Sequence, residues 1–472
     1  MQNNAGFAVT QLFSPMVGFR STNWNFFVQD DIRLTPRFAL NLGLRYEYNS
    51  VWEEDNDQVS NFDFQAVAIE PLGTAFYEDD KNNFAPRVGF AWDLLGQGKT
   101  VVRSGFGIYY NPQLMGTINS LAQNNFPNFT VNIFDVLFGI CPGFPLSFPL
   151  PDPLPTCPQP PQNVNSVDPD LRDSYAAHWN LNIQQEVFPD TVLEAAYVGT
   201  RGLKLPAGAA FAGRQVNRVD LISGMKPFPG FADIRLLGGF LKSSYNALQV
   251  SLRRRSAGRL NFDFNYTWSH ELDNAVSIFA DFQDSDNLNG DYSSGDIDVR
   301  HNFTASYIYD LPAWEQAGDL GRGWKLAGLF QARTGFPVNI FQNPVVFIAD
   351  PLRPDPVPGE VCRPSDYSTP DNQLNLNAFA TPAGFFGTLA RNACRGPNFF
   401  QLDFSVLKDT RLSEQVTLQF RAEFFNLFNR PNFRNPNSVV TGSDFGASQA
   451  TIANLIGVGT GRQIQFALKL IF

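Results

Sequence analysis

Six aspartates lie close together between residues 281 and 298, and they are the residues whose type could most readily do chemistry. Carboxylate and amide oxygens are the ligands that calcium prefers in proteins. Leu288 stands at the third ligand position of an EF-hand pattern and no glutamate closes the loop, so the spacing misses that motif. A solvated loop is the simpler interpretation, and calcium binding stays a weaker hypothesis, centred on Asp284, Asp286 and Asp291. The full set is Asp281, Asp284, Asp286, Asp291, Asp296 and Asp298, with Asn287, Asn289 and Gly290 among them.

The chain has 3 histidines, and none has the setting of a catalytic group. His270 and Glu271 begin like a zinc-protease motif, but the second histidine one helical turn later is missing. His178 lies in a predicted strand and is expected to line the interior of a β-barrel, as argued below, and His301 is expected to be structural. The glycines of segment 105–107 precede no helix pattern that would bind phosphate. The sequence therefore predicts no enzyme activity and no cofactor.

The 4 cysteines form two local pairs, Cys141 with Cys157 and Cys362 with Cys394. Neither pair has the CxxC spacing of zinc or redox sites. Two loop disulfides in an oxidising compartment are favoured over free thiols. Residues 1–6 lack the basic and apolar regions of a signal peptide, which conflicts with secretion. We therefore expect Met1 not to be the true start of the protein.

Composition excludes several classes of protein. Only 17% of the residues are charged and the net charge is −10, which argues against nucleic-acid binding because that needs basic patches. No run of about 18 apolar residues occurs, so the sequence predicts no transmembrane helix. The length of 472 residues leaves either several domains or one large β-barrel.

Alternation with a period of two dominates the chain. In segment 260–268 every even residue is apolar and every odd residue polar, as in a strand with one apolar and one wet face. Segments 40–47, 416–424 and 463–472 repeat the pattern. The spans run over roughly 8 to 14 residues, which suits tilted transmembrane strands of about 9 to 11 residues. Predicted lumen-lining residues are Asn261, Asp263, Asn265, Gln419, Arg421 and Glu423.

Aromatic residues often stand at the ends of these strands. Such placement is typical of the aromatic girdles of a membrane barrel. The alternative is a soluble sandwich or propeller with aromatic residues at the corners of its core. The residues concerned are Trp24, Tyr46, Trp92, Tyr109, Trp268 and Trp324.

The connections between the predicted strands alternate between long and short along the whole chain. Outer-membrane barrels have short periplasmic turns and long extracellular loops. With a periplasmic C-terminus every long connection falls outside, and a soluble barrel has no reason to keep this parity. The predicted extracellular loops are 49–82, 111–173, 200–244, 269–299, 334–398 and 427–461; the short turns are 31–37, 94–99, 188–190, 254–258, 310–323 and 409–414.

This parity favours an all-β, antiparallel, up-and-down transmembrane barrel with about 13 or 14 strands in residues 1–472. Bacterial single-chain barrels have an even number of strands. Thirteen strands would leave unpaired edges, which lipid does not tolerate. We therefore expect a partial barrel domain without a plug domain.

Several motifs resemble TonB-dependent outer-membrane receptors, and the Oar-like group most of all. They are segments 25–31, 34–37, 40–47, 296–303 and 420–429. The ending is similar to the C-terminal signal read by the barrel-assembly machinery, through Phe466, Leu468, Leu470 and Phe472. The resemblance implies the C-terminal part of a 22-stranded barrel, with an N-terminal plug and a TonB box that this chain does not contain.

The resemblance implies a receptor in the outer membrane of a Gram-negative-type bacterium. Its partners would be the lipid bilayer, the barrel-assembly machinery, an unknown bulky or scarce solute, and the TonB complex acting through the missing plug. Two alternatives stay open, a non-transporting adhesin or structural barrel and, less favoured, a soluble secreted β-protein. The loops fix specificity, so the sequence does not name the solute.

Overall fold

The structure of the protein is a computed structural model that describes residues 7–13, 18–112, 118, 129–135, 161–207, 214–220, 223–255, 258–274, 282–343, 352–364, 369–452 and 461–472. No helix in these ranges is long and apolar enough to cross a membrane. Thirteen long strands follow one another: β1 (Asn23–Thr35), β2 (Phe38–Asn49), β3 (Asp80–Asp93), β4 (Thr100–Asn111), β5 (Ser174–Phe188), β6 (Thr191–Ala207), β7 (Ile234–Arg254), β8 (Leu260–Asp273), β9 (His301–Asp310), β10 (Trp324–Arg333), β11 (Phe399–Arg411), β12 (Thr417–Phe425) and β13 (Gln463–Ile471).

Each long strand pairs with its neighbours in sequence, so the thirteen strands form one antiparallel meander, here called the wall. β1 and β13 are its two edges within the described chain. The meander confirms the predicted up-and-down all-β architecture, and its number of long strands lies within the predicted range.

The strand register separates polar from apolar side chains. Asn265 of β8 lies opposite Ser251 of β7, whereas the next residue, Tyr266, lies opposite Val250. Because side chains alternate across a strand, this register gathers like residues on one side of the sheet. The wall therefore has one polar face and one apolar face.

Short turns close one rim of the wall, here called the turn rim. The turn between β3 and β4 is held by the carboxylate of Asp93, which accepts hydrogen bonds from the backbone N–H groups of Gly96 and Gly98 at 2.9 Å each. Both glycines have a positive φ, which non-glycine residues rarely adopt. Local sequence therefore fixes this reversal.

The other rim carries the six long connections and is here called the loop rim. The prediction of a loop over residues 200–244 was wrong at both ends, since β6 continues to Ala207 and β7 already begins at Ile234. The start of β7 pairs on one side with Val164–Val167 in parallel and on the other with Arg214–Gln215. The sheet thus extends beyond the rim, where added partners satisfy its backbone groups.

The connections contain many short elements. The predicted loop over 111–173 includes Phe129–Asp135, which pairs with Phe7–Phe13; neither strand was predicted. Other short strands are Phe19–Arg20, Glu53–Glu54, Phe62–Asp63, Ala68–Ile69, Ser293–Ser294, Pro337–Val338, Asp355–Pro356, Phe379–Ala380 and Cys394–Arg395, and the 3-10 helices are Leu288–Asp291, Glu315–Gly321 and Leu376–Ala378.

The buried apolar clusters lie at the loop rim rather than in the middle of the wall. One cluster joins Val59 and Phe76 of the first long connection to Leu171 and to Leu237 of β7. A second joins Ile340 and other residues of connection 334–398 to the last long connection. The described parts of the long connections, here called the loop cap, therefore have cores of their own.

Candidate functional site

The polar face of the wall contains all six residues that the sequence placed in the lumen. On β8, Asp263 accepts hydrogen bonds from Arg253 at 2.8 Å and from Asn265 at 2.6 Å. Asn261 lies on the same side of that strand. The polar face is thus a set of side chains that hydrogen-bond across and along strands.

The same arrangement recurs on β12. Arg421 donates to Gln419 at 2.6 Å and lies 3.9 Å from Glu423, while Gln419 donates to Asp409 of β11 at 2.8 Å. Opposite charges therefore neutralise one another along this strand. Such a surface suits contact with water or with a polar partner.

Two cavities open on the polar face. The larger, about 490 Å³, has charged side chains such as Arg253, Asp263 and Asp403 beside the apolar Leu329. The smaller, about 240 Å³, lies between β2 and β5 and includes Arg87, the predicted lumen residue His178 and several glycines. Both are open, concave sites that combine polar side chains with apolar ones.

The apolar face carries the aromatic residues of both rims, with one exception. Trp24, Tyr46 and Trp268 stand near the loop rim, and Trp92 and Trp324 near the turn rim. These five residues match two girdles of a membrane barrel.

The exception is Tyr109, and its assignment to a girdle was wrong. The Tyr109 ring lies over Gly107 on the polar face, under the guanidinium of Arg87, whose carbon is 4.5 Å from the ring centroid. One residue of strand register moves a side chain to the other face, and strand-end position alone does not reveal the face.

The loop cap is continuous from one long connection to the next. Asn61 donates to the backbone of Val167 at 2.7 Å, and Arg214 donates to the backbone of Ser285 at 2.9 Å. Further along, Gln283 donates to the Gly387 carbonyl at 2.9 Å. Backbone bonds join segment 369–373 to 446–448. Contacts between connections therefore order the cap.

Buried charge pairs reinforce the cap where β8 ends. Arg391 pairs with Asp273 and with Asp296 and also donates to the backbone of Asp291 at 3.0 Å. Arg353 pairs with Asp291, and both of these side chains are almost fully buried. Because a buried charge is costly unless it is paired, these contacts lock two distant connections together.

Arginines lie beside three of the acidic residues that were named as calcium candidates. Arg353 pairs with Asp291, Arg218 lies 3.8 Å from Asp284, and Arg214 lies 4.0 Å from Asp286. Across the described ranges, no three His, Cys, Asp or Glu side chains are grouped to hold a metal ion. These arginines partly balance the charge of the three carboxylates, and calcium binding stays a prediction; Asp281 lies outside the described residues.

The remaining sequence candidates have structural partners. The Nε2 atom of His270 lies 2.8 Å from the Arg300 guanidinium, and the His301 ring contacts the Tyr266 hydroxyl at 2.8 Å. Cys362 and Cys394 form a disulfide across 32 residues of the cap. The other predicted pair, Cys141 and Cys157, falls outside the described residues.

The residues of the predicted barrel-assembly signal lie at the end of the wall. β13 places Phe466, Leu468 and Leu470 on one face, and Phe472 follows the strand.

Two carboxylates of the cap have lowered pKa values. Burial alone would raise the pKa of Glu54, but backbone N–H groups of Gln58, Gly18 and Asn56 outweigh it and hold the pKa below its ordinary value. The pKa of Asp355 is lowered by the backbone N–H groups of Ala383 and Thr388 and by the Thr388 hydroxyl. Both side chains fasten loop backbone that lacks ladder partners.

Sequence reasoning missed the buried arginines of the cap and the cavity beside Arg87. Period-two alternation identifies a strand, but it does not say which distant connection will face it. The closely spaced glycines of β3 and β4 were the available sequence signal for the cavity beside Arg87, since glycine leaves room for neighbouring groups.

These features define a class of protein, an antiparallel membrane barrel with one apolar face and ordered connections on one rim. The family described as "Outer membrane beta barrel domain" matches residues 3–465. The chain belongs to this family and is a protein of the outer membrane.

No curated protein matches the chain. Among solved structures, the outer membrane transporter YddB from Escherichia coli is similar with 11% identity and a TM-score of 0.48, over 96% of this chain and 55% of that one. The ferric enterobactin receptor PfeA from Pseudomonas aeruginosa has 13% identity and a TM-score of 0.49, over 96% of this chain and 45% of that one. The chain thus spans about half the length of these structures.

Proposed function

We propose that the chain is the barrel portion of an outer-membrane receptor that takes up a bulky or scarce solute with energy delivered through TonB. The observation that carries the proposal is the register of the wall, which keeps a polar face next to an apolar face across thirteen strands. Closed around an axis, the polar face lines a lumen through which a solute passes.

The loop cap supports a receptor role. Long connections on one rim are the usual site of solute recognition, and their described parts are held together here by buried cores and by pairs such as Arg391 with Asp273. An ordered surface loses less conformational entropy on binding than a flexible one. TonB energisation is supported by the resemblance of segments 25–31 and 420–429 to TonB-dependent receptors.

Uptake by intact cells tests the proposal. Cells with the gene, cells without it and complemented cells are grown in one medium, and the depletion of each solute is followed by mass spectrometry. We expect at least one solute to be depleted only when the gene is present and only while the proton gradient is intact.

Depletion that persists after the gradient is dissipated would indicate a passive pore. If no solute is depleted, and if loss of the gene instead changes surface adhesion or envelope integrity, the adhesin or structural barrel is the correct assignment.

A further inference from the structure

A shallow trough runs across the polar face near the middle of β3 and β4. Arg87, Gly107 and His178 occupy one register row across β3, β4 and β5, and Gly89, Gly105 and Asn180 occupy the next row. Because the glycines carry no side chains, the Tyr109 ring fits over Gly107 and the Asn180 amide lies close to Gly105, and the cavity beside them measures about 240 Å³. The strands therefore build a recess with donors at its sides.

Arg87 is held in place without a charge partner. Its guanidinium carbon lies 4.5 Å from the centroid of the Tyr109 ring, and that ring lies over Gly107. Within the described chain no carboxylate pairs with Arg87, unlike Arg45, which pairs with Glu47 at 2.5 Å. Stacking covers the flat face of a guanidinium and leaves its N–H edge free for a ligand.

Two further donors border the recess. The Nδ1 atom of His178 contacts the Thr200 hydroxyl at 2.9 Å, and its ring lies edge-on to Tyr109. When that hydroxyl donates to Nδ1, the Nε2 atom carries the proton and becomes a donor. Asn180 is exposed beside it, with its amide nitrogen near Gly105. The carboxylate of Asp31 at the margin is engaged by Asn41 at 2.5 Å.

We propose that this trough, formed by Arg87, Tyr109, His178 and Asn180, binds the carboxylate group of a solute. The fork of an arginine matches a planar carboxylate through two parallel hydrogen bonds. The volume suits a small organic acid or the acidic end of a larger molecule. The inference rests on the proposed function, because it names the class of solute that the polar face accepts.

Fluorescence titration of the full-length protein in detergent tests the site, with 2-aminobenzoate as the probe and 2-aminobenzamide as its uncharged match. We expect saturable binding of the acid and at least about ten-fold weaker binding of the amide, since a charge-assisted hydrogen bond is lost. Arg87→Gln should weaken the acid about ten-fold or more, and His178→Ala by less. Arg103→Gln is the matched control, because Arg103 lies on the same face but donates to Gln184.

Heat-dependent migration of each variant in gels verifies that the barrel is folded. Equal binding of acid and amide, or an unchanged affinity in Arg87→Gln, overturns the carboxylate site. Inorganic phosphate competing better than acetate also overturns it in favour of a phosphate site. Uptake that fails while the purified protein still binds the acid refutes the proposed function alone, whereas uptake without such binding refutes this inference alone.

Discussion

Two phenylalanines show how differently the wall and the loop cap are built. Phe106 in the wall is 40% exposed, although it lies in the middle of a strand, whereas Phe62 in the cap is 1% exposed and is surrounded edge-on by Phe64, Phe228 and Phe231. In the wall the apolar side chains face outward to lipid. In the cap they face inward, as in a water-soluble domain.

Charges differ in the same way. On the polar face of the wall, partly exposed side chains such as Arg421 and Gln419 hydrogen-bond to each other, while the cap buries Arg391 against Asp273. Lipid satisfies the apolar face, so the wall needs no apolar core. The cap faces water and must bury its apolar residues to order its long backbone.

The largest expected effect comes from breaking a buried pair of the cap. Arg391→Ala leaves Asp273 buried without its partner, which costs about 3–5 kcal/mol. We expect proteases to cut connection 334–398 at much lower urea concentrations, while heat-dependent migration of the barrel persists. Arg20→Ala is the control, because its pair with Asp55 is exposed and is worth about 0–1 kcal/mol. Equal protease resistance in both variants would contradict the cap as a separately stabilised region.

Removing an aromatic ring from each region compares them directly. Phe62→Ala opens a cavity in the cap and should cost about 3–5 kcal/mol in the free energy of opening measured by proteolysis. Phe106→Ala should leave the free energy of opening within about 0.5 kcal/mol of the wild-type value, because detergent or lipid replaces the lost contacts. A larger loss in Phe106→Ala than in Phe62→Ala would reverse the assignment of inside and outside.

A lysine scan on one strand tests which face meets lipid. Phe264→Lys puts a charge on the apolar face and should destabilise the folded barrel in lipid vesicles by about 2–4 kcal/mol. Asn265→Lys, one residue away on the polar face, should cost less than about 1 kcal/mol. Urea titration followed by tryptophan fluorescence gives both values. Similar costs at the two positions would show that the register does not separate the faces.

The smallest effect concerns pH. Because hydrogen bonds lower the folded-state pKa of Glu54, its contribution is present above the unfolded value of about 4.5 and is lost as pH falls through the folded value. Protease cutting of connection 50–79 should therefore rise below about pH 4.5. Glu54→Gln should remove this pH dependence, while Glu53→Gln should keep it. A wild-type cutting rate that stays flat between pH 6 and pH 3 would contradict this role.

Much of the fold was predictable because the signal is local. Alternation over 260–268 predicted a strand and its two faces, and the long–short parity predicted that short turns and long connections lie on opposite rims. The girdle position of Tyr109 was not predictable, because register against Arg87 and Gly107 decides its face. The strand extensions to Ala207 and from Ile234 were missed, since their partners come from other connections.

The sequence by itself determined the wall, because period-two alternation and turn glycines act within a few residues and lipid accepts any apolar side chain. Only the tertiary structure decided the cap, including the pairing of Arg353 with Asp291, 62 residues away. Such pairs depend on which connections meet above the rim. The same holds for the trough beside Arg87, since its members come from separate strands and come together only through the register.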